Sequence, residues 1–166
     1  YDIGSSDDFC LEFYTKGDFE ANYSYGIGDY TNSYFLLQIG ANGVIYGYYG
    51  NGQANTMGDM TAYLTKGTSW HHIAYVRESG TYRLYIDGVQ RGTGTGGGTA
   101  AHDNARFDIG DAHESAGAPH LNGKISNLRF TVGAARYTSG TTFTVPTSTL
   151  TNDSSNVKLL ASVSYT

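Results

Sequence analysis

Residues able to do chemistry are few in this chain, and their spacing limits what they can do. Tyr46, Tyr48 and Tyr49 stand with Gly47, Gly50, Asn51 and Gln53. Aromatic faces stack on the apolar faces of sugars, and amides bond hydroxyl groups. The set Tyr48, Tyr49, Asn51 and Gln53 is therefore the first candidate ligand site, with Tyr23, Tyr25, Tyr30 and Tyr34 as a second rich stretch. The same residues suit a protein interface, where Tyr is enriched, and Tyr is also simply a good strand residue. His113 and His120 lie in a polar loop with Asp111 and Glu114, and His113 joins the candidate ligand residues. His71 and His72 are adjacent, so on a strand their rings point to opposite sides and cannot share a metal. The expected arrangement has His72 packed in the core beside Trp70 and His71 facing outward.

Nucleophilic and hydrolytic chemistry finds little support. Asp108 and Asp111 are three apart, which strand alternation sends to opposite faces, and Glu12 has no acidic partner two residues away. No Gly-x-Ser-x-Gly elbow is present, and the single Cys10 reads as a surface or half-buried structural thiol. The run Gly92 to Gly98 lacks the Lys-Ser/Thr ending of a phosphate-binding loop and reads as a flexible connection.

These residues must be positioned by strands. Of 166 residues, 23 are Gly and 15 Tyr, against four Glu and four Lys, a composition poor for helices and good for strands and turns. Apolar segments alternate with period two between Gly, Asn, Asp and Ser. Phe9, Leu11 and Phe13 alternate with Cys10, Glu12 and Tyr14; Phe35, Leu37 and Ile39 face one way; Ala41-Asn42-Gly43 turns the chain into Val44 to Tyr49. Trp70, His72, Ala74 and Val76 share a face, Glu78-Ser79-Gly80 turns, Tyr82, Leu84 and Ile86 return, and Asp87-Gly88 turns again. Further strands are expected at Arg106 to Ile109, Lys124 to Val132 and Val157 to Val163. The second changes phase between Ile125 and Leu128, which requires either cover on both faces or a bulge near Ser126-Asn127. The expected core centres on Trp70, Ala74, Leu84, Ile86, Ile109, Leu128 and Phe130.

Ten basic residues against 15 acidic give a net charge of −5 without basic clusters, which argues against nucleic acid or an anionic membrane as partner. No apolar stretch approaches the roughly 20 residues of a spanning helix. The opening residues are too polar for a signal peptide, and a start without Met suggests a processed product or an excerpt. Residues 1–166 read as one domain, completed by the last strand at about 157–163.

The order Trp70-His71-His72-Ile73-Ala74-Tyr75-Val76-Arg77, Leu84-Tyr85-Ile86-Asp87-Gly88, Phe107-Asp108-Ile109-Gly110 and Leu121 to Arg129 resembles laminin-G-like and pentraxin-like domains of the concanavalin A-like lectin/glucanase superfamily. Ala135-Arg136-Tyr137-Thr138, Phe143-Thr144-Val145-Pro146 and Lys158-Leu159-Leu160 resemble the tail such domains carry in bacteriophage tail fibres and other virion proteins. The resemblance implies an all-β, two-sheet antiparallel jelly-roll sandwich. It also implies a calcium site, with ligands Asp29 and Asn32 before one strand and Asp111 and Glu114 after Ile109-Gly110; the alternative is two solvated loops whose Asp and Asn serve turns. The Glu-x-Asp-x-Glu strand of the glucanase branch is missing, so the chain is expected not to be an enzyme, and a glycan hydrolase is the weakest reading. Two readings lead. One is a non-enzymatic tail-fibre or adhesion module on the virion surface, binding host-surface carbohydrate. The other is a capsid-decoration or fibre module making protein contacts only, and for either the resemblance suggests a homotrimer.

Overall fold

The computed structural model describes residues 2–17, 25–29, 35–39, 43–49, 54–65, 67, 69–95, 102–103, 107–110, 121–138 and 140–161. Among them are the strands β1 (Asp2–Ile3), β2 (Phe9–Gly17), β3 (Tyr25–Asp29), β4 (Phe35–Ile39), β5 (Val44–Tyr49), β6 (Ala54–Asp59) and β7 (His71–Glu78). They continue with β8 (Thr81–Ile86), β9 (Val89–Thr95), β10 (His102–Asp103), β11 (Asp108–Ile109), β12 (Gly123–Val132) and β13 (Val157–Ala161). Every pairing is antiparallel. A five-stranded sheet runs β11-β3-β4-β5-β6, a six-stranded sheet runs β13-β12-β2-β7-β8-β9, and β1 pairs with β10. The fold is the expected all-β sandwich.

Two tight turns set the register of the β7-β8-β9 meander. Ser79 and Gly80 have φ of 47° and 79°, and Asp87 and Gly88 have 52° and 76°. Positive φ at both central residues is the two-residue hairpin turn whose twist matches that of the flanking strands. The Asp87 carboxylate reinforces its turn by accepting the His72 backbone N–H at 2.9 Å.

Alternation then fills the space between the sheets. Phe9, Leu11 and Phe13 of β2, Ile73 and Tyr75 of β7, Tyr82, Leu84 and Ile86 of β8, and Leu128 and Phe130 of β12 meet Ile27, Leu37, Ile39, Ile45, Tyr49 and Met57 from the other sheet. The phase change in β12 is a bulge: the register with β2 shifts between Ser126 and Arg129, with Asn127 at φ 49°. The sheets approach closely at Gly47, since a Cβ there would overlap the Tyr75 phenol.

The six-stranded sheet is buried on its outer face too. Cys10, Ala74, Val76 and Tyr85 form a second apolar cluster, covered by Ala135, Tyr137 and Phe143 of the segment after β12. This arm, residues 133–138 and 140–156, is laced to the sheet by backbone bonds from Phe143 to Gly88 (2.8 Å), Gln90 to Thr141 (2.7 Å) and Gly133 to Asp8 (2.8 Å). The Tyr85 hydroxyl reaches the carbonyls of Tyr137 and Gly140.

Several expectations are corrected by this double burial. Cys10 is fully buried, not superficial, and burial pushes its thiol well above the usual range. Ala74 belongs to the outer cluster, not the central core. Trp70 precedes β7 and is 39% exposed, with the Lys16 ammonium 5.0 Å from its ring centroid. Ile109 is 44% exposed because β11 is an edge strand overhanging a cleft of about 430 Å³ lined also by Leu121, Ile125, Leu128 and Ala161. His71 is buried rather than outward: its Nδ1–H donates to Asp87 at 2.7 Å while Nε2 accepts the Thr65 N–H at 2.9 Å. Gly92 to Thr95, expected to be loop, extend β9, and Gly92 is needed because a Cβ would run into the Met57 backbone.

The buried Tyr75 hydroxyl has no hydrogen-bond partner. Tyr75→Phe is therefore expected to leave stability unchanged or raise it, since an unsatisfied buried hydroxyl carries a desolvation cost of about 1–3 kcal/mol. Gly47→Ala is expected to cost about 1–3 kcal/mol through overpacking. Urea denaturation of the two variants checks both, and a Tyr75→Phe chain much weaker than its parent would contradict this account.

Candidate functional site

The outward face of the five-stranded sheet follows from the same alternation. With Ile45 and Tyr49 pointing inward, Val44, Tyr46 and Tyr48 of β5 point outward and are half-buried. Register carries this face across the sheet in two rows: Tyr46, Gln38 and Gly26; then Tyr48, Leu36, Gly28 and Asp108. The Tyr46 and Tyr48 rings are 6.5 Å apart at 41°. Both rows thus run from an aromatic ring to a glycine without a side chain, with the Gln38 amide between them in one and the Asp108 carboxyl closing the other. Aromatic faces beside an amide suit a polyhydroxylated ring better than a charged or purely apolar ligand, and the β3 glycines that end the rows are buried.

The sequence-predicted residues are divided by the fold. Tyr48 stands on this face. Tyr49 does not: it is fully buried, its hydroxyl donates to the Gly4 carbonyl, and its ring packs 5.7 Å from Phe9. Burial pushes the Tyr49 phenol up to about 12. Tyr49 is therefore a core residue and a correction to the predicted ligand set. Asn51, Gln53 and His113 lie outside the described residues, as do Asn32, Asp111 and Glu114 of the expected calcium set.

The strand ends bear on that calcium set. Asp29 ends β3 opposite Phe35, which itself pairs with Tyr49. The chain leaves β11 at Gly110, whose N–H bonds the Gly26 carbonyl at 2.9 Å, and returns at Leu121, bonded to Gly110 at 2.9 Å. Asp29 and Gly110 are thus anchored toward opposite ends of β3, about 10 Å apart at the strand rise.

The densest polar cluster lies on the opposite sheet, beneath the arm. Glu12, fully buried, accepts from Arg129 Nε at 2.8 Å and a second guanidinium nitrogen at 2.7 Å, from the Tyr137 hydroxyl at 2.7 Å and from His72 Nε2 at 3.3 Å. Arg129 also reaches the Thr151 carbonyl at 3.2 Å and Asp153 at 3.1 Å, and Asp153 is shared with Arg136. Burial alone would raise the Glu12 carboxyl, but the bonds from His72 and Tyr137 and the Arg129 charge outweigh it and hold the group below its usual 4.5. Burial and the neighbouring Glu12 charge push the Tyr137 phenol far up. A carboxylate so enclosed and bonded cannot attack a substrate. Its work is structural, and sequence reading missed it because Glu12, His72, Arg129 and Tyr137 are scattered over 125 positions.

A family model described as the concanavalin A-like lectin/glucanases superfamily matches residues 2–135. No curated protein matches the chain. Among solved structures, a provisionally named carbohydrate binding protein from Bacteroides ovatus ATCC 8483 superposes with a TM-score of 0.59 at 21% identity, over 78% of this chain and 38% of that one. Domain 4 of AbnA, a GH43 extracellular arabinanase from Geobacillus stearothermophilus in complex with arabinotriose, superposes with 0.55 at 17% identity, over 77% of this chain and 61% of that one. The chain thus spans less than two thirds of either protein, and at these identities the likeness speaks for the fold.

Breaking a buried ion pair costs about 3–5 kcal/mol, and Glu12→Gln is expected near the lower figure because Arg129 keeps Asp153. The folded chain binds the Glu12 proton less readily than the unfolded chain. Its contribution is therefore complete above the ordinary carboxylate range and declines as pH falls through the lowered folded value. Urea denaturation across that acidic interval should show a steeper loss for the parent than for Glu12→Gln. Equal slopes would remove Glu12 from the account.

Proposed function

We propose, from the premise that the chain belongs to the concanavalin A-like lectin/glucanases superfamily, that it is a carbohydrate-binding module acting through the outward face of its five-stranded sheet. The observation that carries this reading is the Tyr46–Tyr48 pair in register with Gln38 and with the glycines of β3. Supporting it, one protein of similar fold is named for carbohydrate binding and another was solved with arabinotriose. Each ring offers an apolar face to a pyranose or furanose, and the Gln38 amide stands in the Tyr46 row where its hydroxyls would lie.

The module is read as non-enzymatic. Glu12 is committed to Arg129, Tyr137 and His72. Of the carboxylates among the described residues of the outward face, Asp59, opposite Val44, accepts from the Thr61 N–H and hydroxyl in its own turn while Asp108 lies at the far edge strand, and retaining hydrolysis needs two about 5–5.5 Å apart. The finer proposal is an adhesion module on a phage particle, in a tail fibre or at the virion surface, whose ligand is host-surface polysaccharide. Its support is the resemblance of Arg136-Tyr137-Thr138 and Phe143-Thr144-Val145-Pro146 to virion domains. Calcium and a trimeric assembly remain part of that proposal. A virion module making protein contacts alone is the competing outcome, since the same tyrosines suit a protein surface.

Glycan-array binding followed by titration calorimetry tests it. Tyr46→Ala and Tyr48→Ala are expected to weaken the best neutral glycan at least about tenfold, in line with about 1.4 kcal/mol for losing an aromatic platform, with the melting temperature within a degree or two because both rings lie outside the core. Titration with and without millimolar calcium tests the metal. Absence of glycan binding, with tight self-association, would favour the protein-contact reading.

A further inference from the structure

Beyond Phe143, which packs against Tyr85 and His72, the arm reaches the row of Tyr14, whose hydroxyl donates to the Pro146 carbonyl. The neighbouring strand is irregular at that row. Ser126 pairs with Tyr14 and Arg129 with Glu12, so Asn127 and Leu128 together oppose the single residue Phe13. Leu128 goes to the central core. Asn127 stands at φ 49°, a conformation that asparagine tolerates better than most side chains. A bulge of this kind re-aims the side chain it carries, and here Asn127 is brought to the arm.

Sheet and arm thereby enclose a cleft of about 410 Å³ lined by Tyr14, Asn127, Val145, Pro146, Thr147 and Ser148. That volume falls within the roughly 300–1,000 Å³ of small-ligand sites. Three properties define its chemistry. None of these six side chains is charged, although the next register pair on this face is Glu12 and Arg129. Tyr14, Val145 and Pro146 are half-buried and give the cleft apolar walls; the Tyr14 ring is held by its bond to Pro146 and by an edge contact with His72 at 4.9 Å. The Asn127 amide and the Thr147 and Ser148 hydroxyls bond no other described residue, whereas Glu12, Arg129, Arg136 and Asp153 nearby are all paired. An ion would find no countercharge among these side chains, and a hydrocarbon would leave the three polar groups unpaired.

We infer that this cleft is a second saccharide site, which takes one neutral sugar residue between sheet and arm. The apolar face of the sugar lies against Tyr14 and Pro146, and its hydroxyls meet the Asn127 amide and the Thr147 and Ser148 hydroxyls. The choice of a saccharide among neutral hydroxylated ligands rests on the carbohydrate-binding reading proposed above; the cleft and its uncharged lining do not. Val145 to Ser148 lie beyond the residues matched by the family model, so the arm's half of the lining falls outside that match. The site is also on the other sheet from Tyr46 and Tyr48. With a site on each sheet, one module holds two glycan strands at once, and binding a surface dense in glycan strengthens two individually weak contacts.

Titration of the isotope-labelled chain with maltotriose, cellotriose, mannotriose and arabinotriose, followed by amide NMR, tests it. Expected are saturable shifts of the Asn127 side-chain amide and of the Thr147 and Ser148 backbone amides with at least one trisaccharide. Asn127→Gly removes the amide while leaving the backbone free to keep its positive φ. It should weaken that affinity about two- to tenfold, the worth of one neutral hydrogen bond. Ser148→Ala, at an exposed position, should act alike, and it repeats the test if the glycine variant loses stability. No saturable shift at these residues with any of the trisaccharides, or an affinity unchanged in both variants, overturns the inference. Shifts confined to Gln38, Tyr46 and Tyr48 overturn it while the module reading stands. Shifts confined to the arm cleft support it and count against the tyrosine face, and silence at both faces overturns both.

Discussion

Glu12 and Arg129 face each other across β2 and β12 in a place that water does not reach. Two charges withdrawn from water cost more than their attraction returns unless their remaining lone pairs and protons are satisfied. Here Tyr137 and His72 complete the carboxylate, and Thr151 and Asp153 complete the guanidinium. Three of those four partners sit on the arm. The pair therefore requires the arm in one register, and the arm in turn supplies Tyr137 and Phe143, stacked 3.7 Å apart, as the lid of the outer apolar cluster. Charge and apolar burial on that face stand or fall together.

The five-stranded sheet sends its large aliphatic residues and Tyr49 inward and keeps Tyr46, Tyr48 and Gln38 outward. Tightness between the sheets comes from opposing small against large, as Gly47 opposes Tyr75. A rigid platform of rings follows, because each ring is held by a strand whose other side is core.

Much of this was legible in the sequence. Strands β2, β4, β5, β7, β8 and β12, the turns at Ser79-Gly80 and Asp87-Gly88, and the irregularity near Ser126-Asn127 follow from period-two patterning and turn chemistry. What could not be read was which face of β7 looks inward. His72, Ala74 and Val76 alternate with Ile73 and Tyr75, and both sets are buried, so alternation has no preferred side. The misplacement of Trp70, Ala74 and His71 has that cause, whereas His72 is buried as expected, against Tyr137 and Phe143 of the arm. Ile109 was misjudged because an apolar residue on a two-residue edge strand looks the same in sequence as one in the centre. Tyr49 differs from Tyr48 only by one step of the pleat. Strand β6, Ala-Asn-Thr-Met-Gly-Asp, lacks an apolar alternation and gave no signal. Of the site, the tyrosine platform was visible, whereas the ion-pair network needed contacts spanning most of the chain.

The family match stops at residue 135, three residues into the arm, while the segment that follows supplies Tyr137, Phe143 and Asp153. Homology and folding thus draw different borders for this module. A recombination event or a protein engineer cutting at the inherited border would move a sandwich whose outer sheet face is greasy, with a bare Glu12 at its middle. Only a cut beyond β13 carries the cover along with the sheet. The arm behaves as a tethered subunit whose interface with the sheet is made within one chain.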